Sequence, residues 1–228
     1  MRREEYLKRY DDRLVLEEPL FHVPLRKEYL LKEIGRGKRV LDLGCLGGQF
    51  SRLIQEQNNE VYGVEVNPRA AEAAQSRGIR VKVFDLNDGI PFEDEFFDVV
   101  NATDILEYIF DTKFLLEECS RVLKSNGTLL FTTPNLNSLS NRIRVLTGGY
   151  LGLMGAYPED HFGEHIRIFN LSKLKELCEY TGFRVVDVRG VPTLTKNLLG
   201  YRVLRPLIRA MPQFGELLMV KAKRADET

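Results

Sequence analysis

The chain has 228 residues, 43% hydrophobic and 29% charged, with 33 basic and 33 acidic side chains. Those proportions fit one globular domain with a full core and exclude a disordered chain, and the absence of net charge removes any general pull toward nucleic acid. No apolar run nears the ~20 residues that cross a bilayer, and Cys45, Cys119 and Cys178 lack the spacing of a zinc site or a disulfide framework.

From the N-terminus, "MRREEYLKRYDDR" is charged and periodic and leads into no apolar stretch, so it does not read as a secretory signal. A cytoplasmic protein with reduced, buried cysteines is expected. Residues 1–35 are read as a helical lid. Strands are predicted at Arg39 to Leu43, Glu60 to Val66, Arg80 to Phe84, Phe97 to Asn101 and Thr128 to Thr132. Helices are predicted between them at Gln49 to Gln57, Pro68 to Arg77 and Thr112 to Leu123. Pro68 suits a first helical turn, where its missing N–H is not needed. "KSNG" at 124–127 reads as a cationic helix end with a glycine stop. Such alternation implies a parallel sheet. Segment 136–167 then reads as an insertion with one short helix. A helix from Leu171 to Thr181, stopped by Gly182, and a strand from Phe183 to Arg189 follow. A second insertion spans 191–214, where Tyr201, Leu204, Leu207, Ile208 and Met211 recur at near-helical spacing around Pro206. A last strand runs from Glu216 to Ala222.

"VLDLGCLGGQF", residues 40–50, is an apolar strand that breaks into Gly44, Gly47 and Gly48 and feeds a helix. Such a corner brings backbone N–H groups and the positive end of a helix against a ligand. The glycines do not match G-x-G-x-x-G, which disfavours a nicotinamide oxidoreductase. Glu65 closes the next strand about 20 residues on, where a carboxylate accepts from ribose hydroxyls. A nucleoside ligand follows from the pair.

The chain resembles class I S-adenosylmethionine-dependent methyltransferases, of the small-molecule group that includes MetW-like and UbiG-like proteins. The resemblance rests on "VLDLGCLGGQF", "VYGVEVNP", "VFDLNDGIPFEDEFFDVVNATDILEYI", "LLEECSRVLKSNGTLLFTTPN" and "HIRIFNLSKLKELCEYTGF", in that order. It implies an α/β, Rossmann-like, doubly wound sheet of seven strands with an antiparallel last strand. It implies S-adenosylmethionine as cofactor, S-adenosylhomocysteine as product, and no metal. On that footing Asp42, Gly44, Cys45 and Gly48 surround the methionine part, Glu65 holds the ribose diol, and Val66 packs on the adenine. Asp85 and the backbone of Leu86 read the adenine edge. Asn101, Ala102 and Asp104 line the sulfonium end.

Leu46 stands where the family more often has glycine. Since leucine avoids positive φ, it is expected to keep negative φ, with Gly47 supplying the freedom. The alternative is a corner that no longer holds cofactor.

Methyl transfer is an in-line displacement that needs positioning above all, but a hydroxyl acceptor gains from a general base. His165 and His161 are the candidates, with His165 equally readable as an anchor between insertion and domain. His22 sits in the expected lid, and Tyr108 stands where relatives place histidine. Acceptor specificity is assigned to the N-terminal region and the two insertions, where Tyr150, Tyr157 and Phe162 serve either as a substrate wall or as loop packing. Arg142, Arg144, Arg202, Arg205 and Arg209 suit a solvated face, an anionic substrate or an anionic membrane surface. The acceptor is read as an O or N atom of a small or lipid-like metabolite, with nucleic acid disfavoured and oligomeric state open. The rival from another class is a non-catalytic cofactor-binding module that contacts a protein partner.

Overall fold

The computed structural model describes residues 24–151, 165–191 and 206–225. In chain order these form α1 (Pro24–Ile34), β1 (Arg39–Leu43), α2 (Gln49–Glu56), β2 (Glu60–Glu65), α3 (Pro68–Ser76), β3 (Arg80–Val83) and β4 (Phe97–Thr103). There follow α4 (Thr112–Val122), β5 (Leu123–Pro134), α5 (Leu139–Leu146), α6 (Leu171–Tyr180), β6 (Phe183–Val191) and β7 (Leu217–Arg224). Residues 206–210 are also helical.

The strands build one seven-stranded sheet in the order β3-β2-β1-β4-β5-β7-β6. β1 to β5 pair in parallel, and β7 runs antiparallel to both β5 and β6. The chain reverses its direction of travel across the sheet between β1 and β4, the switch point where open α/β sheets bind ligands beyond their carboxyl strand ends.

Period-2 alternation divides the core in two. Val40, Val99, Leu130 and Met219 face one side and pack with Tyr29, Leu30 and Ile34 of α1, Phe50 and Ile54 of α2 and Ala74 of α3. Leu41, Val100, Leu129 and Phe131 face the other, against Leu115, Leu116 and Cys119 of α4 and Leu174 and Cys178 of α6. All three cysteines are buried thiols. The part of the expected lid that is described, α1, thus supplies a wall of the core. The remainder of that lid, with His22, lies outside the described residues, as do Tyr157, His161, Phe162, Tyr201, Arg202, Leu204 and Arg205.

Asn67 caps α3, its side chain accepting from the N–H groups of Arg69 and Ala70, and Pro68 opens the helix as expected. "KSNG" departs from expectation. α4 ends at Val122, β5 begins at Leu123, and Asn126, not Gly127, takes the left-handed turn at φ 59°. Asparagine tolerates that region because its short side chain satisfies backbone locally. Among its described residues, insertion 136–167 carries a short helix, α5, whose Ile143, Val145 and Leu146 are exposed along with Tyr150. Arg142 stacks on Phe214 at 5.2 Å, tying that helix to the turn before β7.

Candidate functional site

β1, β2 and β3 end side by side, and each delivers a carboxylate at or just beyond its carboxyl end. Asp42 is 4% exposed. Register pairs it with Asn101 on β4, and its Oδ1 accepts from Asn101 Nδ2 at 2.7 Å while Oδ2 accepts from Ser51 Oγ of α2 at 2.5 Å. Thr103 Oγ1 donates to Asn101 Oδ1 at 3.0 Å, which completes a buried polar chain across the switch point. Burial pushes the Asp42 carboxyl up to about 6, against the two hydrogen bonds that favour its charge.

Glu65 is 2% exposed and accepts from Leu46 N–H and Asn67 N–H, each at 2.9 Å. Burial raises its proton affinity, opposed by backbone N–H groups of Asn67, Leu46 and Val66. Asp85 caps the 3-10 turn Leu86–Asp88 through Asn87 N–H at 3.0 Å. Asn87 Oδ1 then accepts from Phe110 N–H, joining this edge to the turn after β4.

The glycine corner between β1 and α2 folds back on β2: Gly44 N–H and Cys45 N–H both reach Val64 O, at 2.8 and 3.2 Å. Its backbone alternates through three left-handed positions, Gly44 at φ 66°, Leu46 at 45° and Gly48 at 78°. A Cβ on Gly44 would stand 2.2 Å from Ile105 Cδ1, and one on Gly48 would stand 2.8 Å from Ala74 Cβ. Both positions favour glycine for conformation, and Gly48 demands it for space as well, because Ala74 Cα lies 2.9 Å away while the Ile105 side-chain tip beside Gly44 can move.

Leu46 corrects the sequence reading, because it takes the positive φ itself and Gly47 does not. The alternation requires a left-handed residue at its centre, and Leu46 N–H is thereby aimed at Glu65. That charge-assisted hydrogen bond offsets a conformational cost of about 1–2 kcal/mol. The same turn sends the Cys45 side chain into the core, where a Cβ on Gly63 would come within 2.6 Å of Cys45 Sγ.

Residues 18–188, well over half of the chain, match the family described as a methyltransferase domain. The chain belongs to the class I S-adenosylmethionine-dependent methyltransferases. This methyltransferase is 25% identical over 177 residues to a ubiquinone biosynthesis O-methyltransferase of Coxiella burnetii, covering 74% of this chain and 73% of that one. It is 28% identical over 199 residues to the enzyme of that name from Pseudomonas fluorescens, covering 83% and 84%. Among solved structures it is similar to a methyltransferase from Thermotoga maritima, with a TM-score of 0.68, 19% identity and 97% of each chain covered. It is also similar to a 1,6-didemethyltoxoflavin-N1-methyltransferase from Burkholderia thailandensis bound to S-adenosylhomocysteine (TM-score 0.67, 17% identity, covering 98% and 87%). At those identities the structural likenesses speak to the fold, which is the expected one. The family match sets aside the oxidoreductase and the non-catalytic module.

The residues of the methyltransferase fit its cofactor by their chemistry. A ligand with ribose hydroxyls, an ammonium group and a sulfonium calls for anionic acceptors, and three carboxylates stand on three adjacent strand ends. The structure brings together Asp42, Gly44, Gly48, Glu65, Val66, Asp85, Leu86, Asn101 and Ala102 along this edge, with Ala102 fully buried in β4. Asp104 follows β4 at φ 52° and turns to Arg26 of α1. His165 is 6% exposed, its Nε2 3.0 Å from Tyr108 Oη, with the rings edge to face. Next to it, Ile166 N–H and Arg167 N–H both donate to Glu107 O.

Sequence reasoning missed four residues here. Ser51 and Arg77 brace the corner, Arg77 Nη1 donating to Gly47 O at 2.7 Å. Arg26 and Glu107 lie buried beside Asp104. An acid inside the apolar stretch "DILEYI" was the available signal for Glu107. Nothing local marked Arg26, which is 78 residues from its partner.

Proposed function

We propose that this methyltransferase transfers the methyl group of S-adenosylmethionine to an oxygen of a small or lipid-like acceptor. The observation that carries the cofactor assignment is the row of carboxylates Asp42, Glu65 and Asp85 on the carboxyl ends of adjacent strands beside the switch point. When bound, the cofactor supplies an electrophilic methyl on a sulfonium that leaves as a neutral thioether. Glu65 accepts from the ribose hydroxyls. Asp85 and the Leu86 backbone meet the adenine edge, and Val66 packs on its face. Asp42, held by Ser51 and Asn101, sets an anion under the methionine part, with Gly44, Gly48 and the Cys45 backbone clearing room for it. Asn101, Ala102 and Asp104 border the reacting end. The choice of an oxygen acceptor is supported by the relatives, which carry the name O-methyltransferase.

His165 serves in this reading as the anchor, since its hydrogen bond to Tyr108 and its burial hold the turn after β4 in place. His161 stays a candidate base on sequence grounds alone.

The test is calorimetric titration of S-adenosylmethionine and S-adenosylhomocysteine into the parent, Glu65→Ala and Asp85→Ala. Both ligands are expected to bind the parent, and each variant to lose at least about tenfold, as removal of a charged hydrogen-bond acceptor does. A parent that binds neither defeats the reading. Variants that bind as the parent does would overturn the residue assignments.

A further inference from the structure

The turn after β4 is held from two sides by residues that take no part in the cofactor assignment. Leu106 and Ile109 root it in the core, at 0% and 4% exposure, while the Phe110 side chain stands 70% exposed at its outer edge. On the side of Asp85, assigned above to the adenine edge, Asn87 Oδ1 accepts from Phe110 N–H at 2.9 Å and Asn87 Nδ2 donates to Asp85 Oδ1 at 2.9 Å. The backbone N–H of Asn87 donates to the same oxygen at 3.0 Å. On the far side, Arg167 Nε donates to Ile109 O at 3.1 Å and Arg167 Nη2 donates to Phe110 O. Backbone completes that side, with Ile166 N–H and Arg167 N–H reaching Glu107 O at 2.9 and 3.2 Å.

These bonds make one path from Asp85 to segment 165–167, where the insertion 136–167 rejoins the domain ahead of α6. Asparagine suits the middle of that path because its amide both donates and accepts. A carboxylate there would repel Asp85, and an apolar side chain would take the acceptor away from Phe110 N–H. Arginine suits the far end because its planar guanidinium meets two successive carbonyl oxygens at once. A ligand donor that joins the Asn87 groups on the Asp85 carboxylate restricts its rotation, and that restriction passes through Asn87 to Phe110 N–H and to the edge that Arg167 grips. No large change of shape is needed, since a shared segment ordered by one ligand leaves less to be ordered by the next.

We propose that Asn87 and Arg167 are positioning residues that transmit occupancy of the cofactor site to the return of the insertion; this rests on the assignment of S-adenosylmethionine to the corner and to Asp85. With cofactor in place, the backbone of Ile166 and Arg167 opens more rarely from Glu107 O. The insertion, to which the sequence assigns acceptor specificity, is then presented on a firmer base. Neither residue touches a reacting atom. The coupling runs in both directions: a molecule that binds the insertion and closes this segment raises cofactor affinity by the same factor by which cofactor favours the closed segment.

The experiment is residue-resolved amide hydrogen exchange of the full chain, read at the N–H groups of residues 166 and 167 with and without saturating S-adenosylhomocysteine, whose affinity is measured by calorimetry. Their acceptor, Glu107 O, is a backbone atom that every substitution used here leaves in place. The ratio of exchange rates without and with ligand therefore reports coupling and not loss of a bond. In the parent that ratio is expected to reach about tenfold. Asn87→Ala should bring it to within about twofold of unity at ligand concentrations that still saturate the variant. Asn87→Asp keeps an acceptor for Phe110 N–H but sets a second carboxylate against Asp85, so it too should lose the ratio, which covers the case that Asn87→Ala does not fold. Arg167→Gln should lose the ratio while ligand affinity stays within about threefold, and Arg167→Lys, still able to donate to one carbonyl, should recover part of it. A parent that binds ligand with its exchange unchanged overturns the coupling. So do Asn87 and Arg167 variants that exchange faster but keep the parent's ratio, the mark of a role confined to stability. A parent that binds no S-adenosylhomocysteine strikes the cofactor reading, and the coupling with it.

Discussion

The glycine corner and the Arg26–Glu107 cluster sit on the same end of the sheet, and they are built in opposite ways. Around the corner every carboxylate is held by groups near it in sequence or register: Glu65 by Leu46 and Asn67, Asp85 by Asn87, Asp42 by Ser51 and Asn101. In the cluster Arg26, Asp104, Glu107, Thr132, Thr133 and His165 come from α1, the turn after β4, β5 and the segment before α6, and two of their polar atoms remain unpartnered. The glycine corner is fixed by groups close in sequence or register, whereas the Arg26–Glu107 cluster exists only where packing brings distant segments together.

The rigidity of the corner is most sharply tested at Gly48. Gly48→Ala forces a left-handed alanine into Ala74, so unfolding by denaturant is expected to register a loss on the order of 2–4 kcal/mol. Gly78→Ala, equally left-handed but with nothing within 4 Å of its Cβ, should lose only about 1 kcal/mol. Equal losses at the two glycines would mean that backbone conformation, and not close packing of α3, governs the corner.

Asp42 carries the next largest effect. Its proton affinity is raised by burial, so the stability it contributes is fully present below the unfolded value of 3.8 and is lost as pH rises through about 6. Asp42→Asn is therefore expected to exceed the parent in stability at pH 8 by about 2–3 kcal/mol, with the advantage gone near pH 4. Its affinity for S-adenosylmethionine should fall at the same time. Thermal unfolding across that pH range, with parallel titrations of ligand, checks both halves. A variant less stable at every pH would show that the hydrogen bonds of Ser51 and Asn101 to the carboxylate outweigh its burial.

Beside that cluster, Tyr108→Phe removes one hydrogen bond to His165 and should cost about 1 kcal/mol while leaving cofactor affinity unchanged. Loss of cofactor binding in that variant would break the separation between the two regions. The smallest effect belongs to Leu46→Gly. Leu46→Gly relieves a left-handed leucine but adds unfolded-state entropy, so stability should stay level or rise by less than about 1 kcal/mol, whereas β-branched Leu46→Val should lose about 1 kcal/mol or more. A large loss in Leu46→Gly would assign the side chain a packing role that its half-buried position does not suggest.

By itself the sequence determined the strands of the sheet and its corner, while the order of the strands followed from the family resemblance. Alternating apolar runs, helix caps such as Asn67 before Pro68, and the glycine break after Asp42 are short-range signals, because a strand, a helix start and a tight turn each depend on neighbours within a few residues. Glu65 was singled out for the same reason, lying at a predictable strand end, whereas Asp85 was singled out only through the family resemblance. Leu46 was misread because its own preference pointed to negative φ, and only closure of the turn onto β2 and Glu65 imposed the opposite sign. Asn126 likewise took the turn that Gly127 was expected to take, through the pairing of Leu123 with Phe97 that starts β5 early. Tertiary structure alone decided that α1 is a core wall, that His165 leans on Tyr108, and that Arg26 meets Asp104 beside Glu107. Contacts between residues 57 or 78 positions apart leave no periodic trace in the chain. They arise when burial of the apolar faces fixes where each segment ends, and the polar groups at those ends must then find one another.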